Sequence, residues 1–145
     1  PFHGSAYQRS RLLLDLAQLD AAERGADGPA CRHWRRQARK SVRSAMRSAS
    51  KVAWRRTEVL RLAARYHWLV GHRRRARRLF ERSVAWGEKL GAQPETARTY
   101  AEVGRLLRAH GGRFRGLDGG ACLARARKTF EALGLRTDLE RLAEP

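Results

Sequence analysis

From Pro29 to Gly71 the chain carries no intervening glycine or proline, and nowhere do polar and apolar residues alternate over the length of a strand. A long stretch without breakers, patterned at three- and four-residue spacing, is suited to α-helix and little else. Apart from Gly4, Gly87 and Gly104, which stand singly in other stretches, the breakers that punctuate the chain are "GADGP" at 25–29, Gly71, "GAQP" at 91–94, "GGRFRGLDGG" at 111–120, and Gly134. They predict helices over Ser5–Arg24, from near Ala30, over 52–70, Arg73–Leu90, Pro94 to near His110, and Gly120–Leu133. A short one follows over Thr137–Ala143 with Thr137 as its cap. Pro29 and Pro94 stand where proline is tolerated, in the first helical turn. The span from 29 to 71 is too long for one helix of a compact domain. A turn is therefore expected at "SASK", Ser48–Lys51, since serine favours caps over helix interiors.

At 145 residues the chain is expected to form one domain with a real core. Its formal charge is +18, from 32 Lys and Arg against 14 Asp and Glu. Such a balance makes acidic surfaces and polyanions the natural partners. Almost all the basic residues are Arg, a bias that a GC-rich genome also produces. The two cysteines, Cys31 and Cys122, are far apart and lack metal spacing, so free thiols in a reducing, cytoplasmic setting are expected. No apolar run has the length of a membrane span, and no membrane role is expected. The first residue is Pro, which suggests a part of a larger protein.

Internal repetition follows the same punctuation. "LAARYHWLVGHRRRARRLFERSVAWGEKLG" and "YAEVGRLLRAHGG … ARARKTFEALG" share an order of features. Each has a helix ending in Gly (Gly71, Gly111), then a helix with Ala-x-x-x-Phe-Glu (Ala76, Phe80, Glu81; Ala126, Phe130, Glu131), then Leu-Gly. On these residues the chain resembles the tetratricopeptide repeat family. The core positions would be Leu60, Ala63, Ala64, His67, Gly71, Ala76 and Phe80 in one repeat. In the next they are Tyr100, Val103, Gly104, Leu107, Gly111, Ala126 and Phe130. "LGAQPETARTYAEVGRLL" is also similar to the C-terminal repeats of large bacterial ATPase and signalling regulators.

The resemblance implies an all-α, right-handed array of antiparallel helix hairpins, an α-solenoid of about six to seven helices. Residues 6–56 would form a degenerate pair, 57–91 one repeat, 95–134 a second with an insertion at 111–120, and 137–143 a terminal helix. His67 stands where the family prefers an aromatic residue. In that family the inner helices line a groove for a partner's peptide. Carried over, the groove is Glu58, Arg61, Arg65 and Trp68, then Arg98, Ala101, Arg105 and Arg108. Arginines offer bidentate hydrogen bonds to carboxylates and Trp68 an apolar anchor.

A second basic feature is read from spacing alone. Arg35, Arg39, Arg43 and Arg47 recur every fourth residue, each after a mostly apolar neighbour (Trp34, Ala38, Val42, Met46), and so share one helix face. That face has three open uses: a solvated surface, a dock for an acidic protein segment or adjacent domain, or a polyanion surface. Nucleic acid is the secondary partner, because no base-reading motif accompanies the charge.

No catalytic constellation is recognisable, and neither G-x-x-x-x-G-K nor H-E-x-x-H occurs. The glycines of 111–120 follow no strand and read as a flexible inter-helix loop. His67 is expected in the core, with His72 and His110 capping helix ends. No enzyme activity, metal or cofactor is expected. The expected function is protein–protein interaction or scaffolding in a cytoplasmic bacterial regulator, with dimerisation through an exposed end of the array as an accompanying hypothesis.

Overall fold

The computed structural model describes residues 2–145, and helices account for 84% of the described residues. The α-helices are α1 (Phe2–Arg24), α2 (Gly28–Ala49), α3 (Arg56–Leu69), α4 (Arg73–Leu90), α5 (Gln93–His110), α6 (Gly119–Leu133) and α7 (Arg136–Ala143). One 3-10 turn, Ala53–Arg55, precedes α3. No strand is found among the described residues. The chain divides into two compact units, Pro1–Ser83 and Val84–Pro145, with the division inside α4.

In the first unit Leu12, Leu16 and Leu19 of α1 are fully buried, as are the small residues Ala38, Ala45 and Ala49 of α2. Large side chains on one helix thus face mostly methyl groups on the other, which keeps the axes close. Polar links fix the direction. Glu23 pairs with Arg35, Asp15 accepts from the Ser41 hydroxyl, and Gln8 accepts from the Ser48 hydroxyl, so α1 and α2 run antiparallel. The link from Arg9 to Glu58 and that from Arg65 to Asp20 run in ascending order, so α3 is parallel to α1. α4 then returns along α3, with the Ser83 hydroxyl donating to the Thr57 carbonyl at 2.8 Å.

The second unit repeats this order of directions. Tyr100 lies under Arg125, and Gly104 meets Gly119 and Cys122, so α5 and α6 are antiparallel. Arg98 binds Asp138, and Arg105 donates to the Arg141 carbonyl, so α7 is parallel to α5. Each unit therefore contains a hairpin and a third helix parallel to the hairpin's first. Val84, Ala126 and Phe130 are buried, as are Tyr100 and Cys122. Both cysteines are free.

The helix ends follow local chemistry. The Asp27 carboxylate accepts from the Ala30 amide at 3.0 Å and caps α2, with Pro29 inside the first turn. Asp118 caps α6 in the same way. At the far end of α2 the Arg56 guanidinium donates to the carbonyls of Ala49 and Ser50, a cation at a helix C-terminus. Gly91 and Gly134 adopt positive φ where their helices stop.

Three local expectations are corrected. α3 starts at Arg56 and not at 52, because Val52 is extended and the 3-10 turn intervenes. α7 starts at Arg136, after Leu135, without a side-chain cap, so Thr137 is inside the helix. The 111–120 segment is not a featureless loop. Phe114 and Leu117 exchange backbone hydrogen bonds of 2.8 and 2.9 Å, and the Phe114 ring is buried edge-on against Tyr100. An apolar plug of this kind offsets the entropy of ordering so glycine-rich a turn.

Two glycines, Gly104 and Gly119, make the closest contacts; the first lies within α5. A Cβ at Gly104 would lie 2.8 Å from Leu123 Cγ and 3.0 Å from the Gly119 carbonyl oxygen. Gly104→Ala is therefore expected to destabilise the protein by ~1–3 kcal/mol, read from urea unfolding. Gly4→Ala, whose Cβ would meet nothing within 4 Å, should be neutral or slightly stabilising. Equal effects of the two would remove the close-contact explanation.

Candidate functional site

α2 carries a long row of exposed positive charge. Arg32, Arg35, Arg36, Arg39, Lys40, Arg43 and Arg47 are all exposed, on the side opposite Ala38, Val42, Ala45 and Ala49. Arg35 is held by Glu23 at 2.6 Å. No ion pair holds Arg36, Arg39, Lys40, Arg43 or Arg47 among the described residues. α2 itself contains no acidic residue. With a rise of about 1.5 Å per residue, Arg35, Arg39, Arg43 and Arg47 present guanidiniums at about 6 Å intervals. Neighbouring like charges at that spacing repel by a few tenths of a kcal/mol, roughly, and an approaching row of carboxylates relieves the repulsion.

The other candidate residues have different surroundings. On α3, Glu58 takes the Arg9 guanidinium at 2.6 Å, and Arg65 is 3.8 Å from Asp20. Arg61 and Trp68 are half-buried, and the Arg73 guanidinium lies 3.8 Å from the Trp68 ring centroid. On α5, Arg98 forms a fork with both oxygens of Asp138, at 2.9 and 3.0 Å, and also reaches Glu95. These hydrogen bonds, Asp138 first, push the pKa of Arg98 further up against the opposing effect of burial. Arg105 and Arg108 are exposed, Arg105 donating to the Arg141 carbonyl.

The residues the repeat pattern assigns to a groove thus serve, in large part, as links between parallel helices within each unit. Arg65 ties α3 to α1, while Arg98 and Arg105 tie α5 to α7. Their cationic groups are already directed at internal carboxylates and a carbonyl. By contrast, of the exposed α2 cations only Arg35, bound to Glu23 of α1, takes part in a seam described above.

A second basic helix was not singled out from the sequence. Arg73, Arg74, Arg75, Arg77, Arg78 and Arg82 of α4 are exposed, although "HRRRARRLFER" advertised them. The α3–α4 turn below them holds a histidine pair. His67 is 8% exposed, and its Nδ1 lies 3.2 Å from Nδ1 of the exposed His72, so one ring donates to the other. His67 is in the core, and the partner of His72 is this ring. Among the described residues no group of three or more His, Cys, Asp or Glu side chains is arranged to hold a metal ion. Nor, among the described residues, is any helix long and apolar enough to cross a membrane.

Comparison with known proteins gave no match: no family model fits the chain, and neither a curated protein nor a solved structure is detectably similar to it.

The histidine pair makes stability depend on pH. Burial, with the Arg75 charge and His72 adding to it, lowers the His67 pKa to about 4. The unfolded chain, with an ordinary value near 6.5, then binds more protons between these two pH values. The contribution is fully present above about pH 6.5 and is lost as pH falls toward 4, by an amount on the order of 1–3 kcal/mol. Urea unfolding of the wild type and His67→Phe from pH 7 to 4.5 should show a steeper decline in the wild type. Parallel curves would contradict the assignment.

Proposed function

We propose that the chain is a protein-interaction domain, a tetratricopeptide-like array of helix hairpins that docks an acidic segment of a partner protein, or an adjacent domain, on the basic face of α2. The observation that carries the reading is the row of exposed cations on α2, of which only Arg35 is engaged by a carboxylate. The repeat assignment draws support from the hairpin and third parallel helix found in each unit. Ala64, Ala76 and Ala126 are buried at positions where the repeat pattern needs small residues.

An acidic helix or extended acidic strand presents carboxylates at spacings that guanidiniums can meet bidentately. Each exposed pair contributes ~0–1 kcal/mol, so useful affinity requires several together. Binding would be weak, fast and salt-sensitive, since the Debye length at physiological salt is about 8 Å. The two exposed groove arginines, Arg105 and Arg108, are the subsidiary surface. The arginines turned inward to carboxylates, Arg65 and Arg98, would have to surrender those contacts to bind a peptide.

The experiment is a salt titration of binding to a peptide with Glu at every fourth position, run beside a short mixed-sequence duplex. The expected result is peptide binding that Arg35→Glu, Arg39→Glu and Arg43→Glu together weaken at least about tenfold. Arg105→Glu with Arg108→Glu should weaken it less. Preference for the duplex, with affinity falling steeply with salt, would overturn the acidic-protein reading in favour of a polyanion surface.

A further inference from the structure

The α5–α6 hairpin is tightly closed near its loop, where Gly104 and Gly119 meet backbone to backbone. At its other end a cleft of about 440 Å³ lies between the first half of α5, the second half of α6 and the last turn of α4. That volume falls within the range of small-molecule sites, roughly 300–1,000 Å³.

The lining is divided by chemistry. Ala97, Ala132 and Leu133 supply an apolar strip, and Leu133 is 42% exposed. Arg125 and Lys128 supply two cations, and Tyr100 also lines the cleft. The Tyr100 residue is 1% exposed, with Phe114 at its edge and the Arg125 guanidinium 4.6 Å from its ring centroid. Its hydroxyl makes no hydrogen bond among the described residues and is not a buried unpartnered atom, so it remains open to solvent or to a ligand. Burial raises the Tyr100 pKa, so the group is an O–H donor.

Charge at the mouth is incompletely matched. Arg125 is 3.9 Å from Glu88, and that carboxylate is shared with Arg115 at 3.4 Å. Lys128 is exposed and has no ion pair among the described residues. The Thr96 and Thr129 hydroxyls donate to carbonyls of their own helices and cannot also serve as donors to a ligand. The donors available to an anion are thus Arg125, Lys128, the Gln93 carboxamide and the Tyr100 hydroxyl. Glu88 on the opposite wall disfavours a multiply charged ligand.

We propose that this cleft binds a small amphiphilic carboxylate, its acidic head held by Arg125, Lys128 and the Tyr100 hydroxyl and its short apolar tail along Ala97, Ala132 and Leu133. The site is independent of the α2 surface and does not rest on that reading.

The test is titration of the full chain with octanoate below its micelle concentration, followed by amide NMR shifts. Octylamine is the matched control. The expected result is saturable, one-to-one shifts at Ala97, Lys128, Thr129 and Ala132. Lys128→Gln should weaken binding about tenfold, the scale of one charge-assisted hydrogen bond. Ala132→Trp, which fills the cleft, should abolish it with the helical circular dichroism unchanged. If that variant does not fold, the Lys128→Gln comparison, at an exposed side chain, decides. Charge reversal at Arg35, Arg39 and Arg43 should leave octanoate affinity unchanged. Non-saturating shifts, shifts centred on α2 or α4, equal binding of octylamine, or insensitivity to Lys128→Gln would overturn the proposal.

Discussion

Close approach of helices at small residues is the constraint on which the rest depends. A chain with formal charge +18 repels itself when compact, and its hydrophobic residues make up only 42% of the sequence. Apolar contact must therefore be dense where it occurs. The α1–α2 seam sets leucines against alanines, and the α5–α6 seam brings two glycines together with no room for a Cβ. Each large buried aliphatic side chain contributes ~1.5–3 kcal/mol of burial, a gain that added separation between the helices would erode.

Scarcity of carboxylates then decides where the charge is directed. With 14 acidic residues against 32 basic ones, most cations have no internal partner available. Several acids pair across seams, Asp20, Glu23 and Glu58 in the first unit and Asp138 in the second, while Asp15 and Glu95 bind arginines of their own helices. Both units use the same device, an arginine that reaches from one helix to a carboxylate on the parallel neighbour. The α2 cations other than Arg35 are among those that this distribution leaves exposed and without an ion pair among the described residues.

Helix existence and most helix ends were legible because Gly and Pro mark them and because the apolar stripes have helical period. The close contact at Gly104 was legible too, since a glycine within an otherwise strong helix needs a packing reason. The fate of Arg65 and Arg98 was not. A guanidinium on a helix face reads the same in sequence whether it meets water or a carboxylate contributed from 40 residues or more away. The Phe114–Leu117 turn escaped for a related reason: two apolar residues in a glycine-rich segment carry no periodicity. Asp27 and Asp118 were readable as caps in hindsight, each lying just before a small residue that opens a helix.

The central claim is that the α2 arginines are held for an outside partner while those of α3 and α5 are committed to internal seams. Arginine side-chain Nε–Hε NMR during titration with an acidic peptide tests it directly. The account predicts that Arg39, Arg43 and Arg47 shift and exchange more slowly while Arg65 and Arg98 stay where they are. Early movement of Arg65 and Arg98, with the α2 signals unchanged, would contradict it.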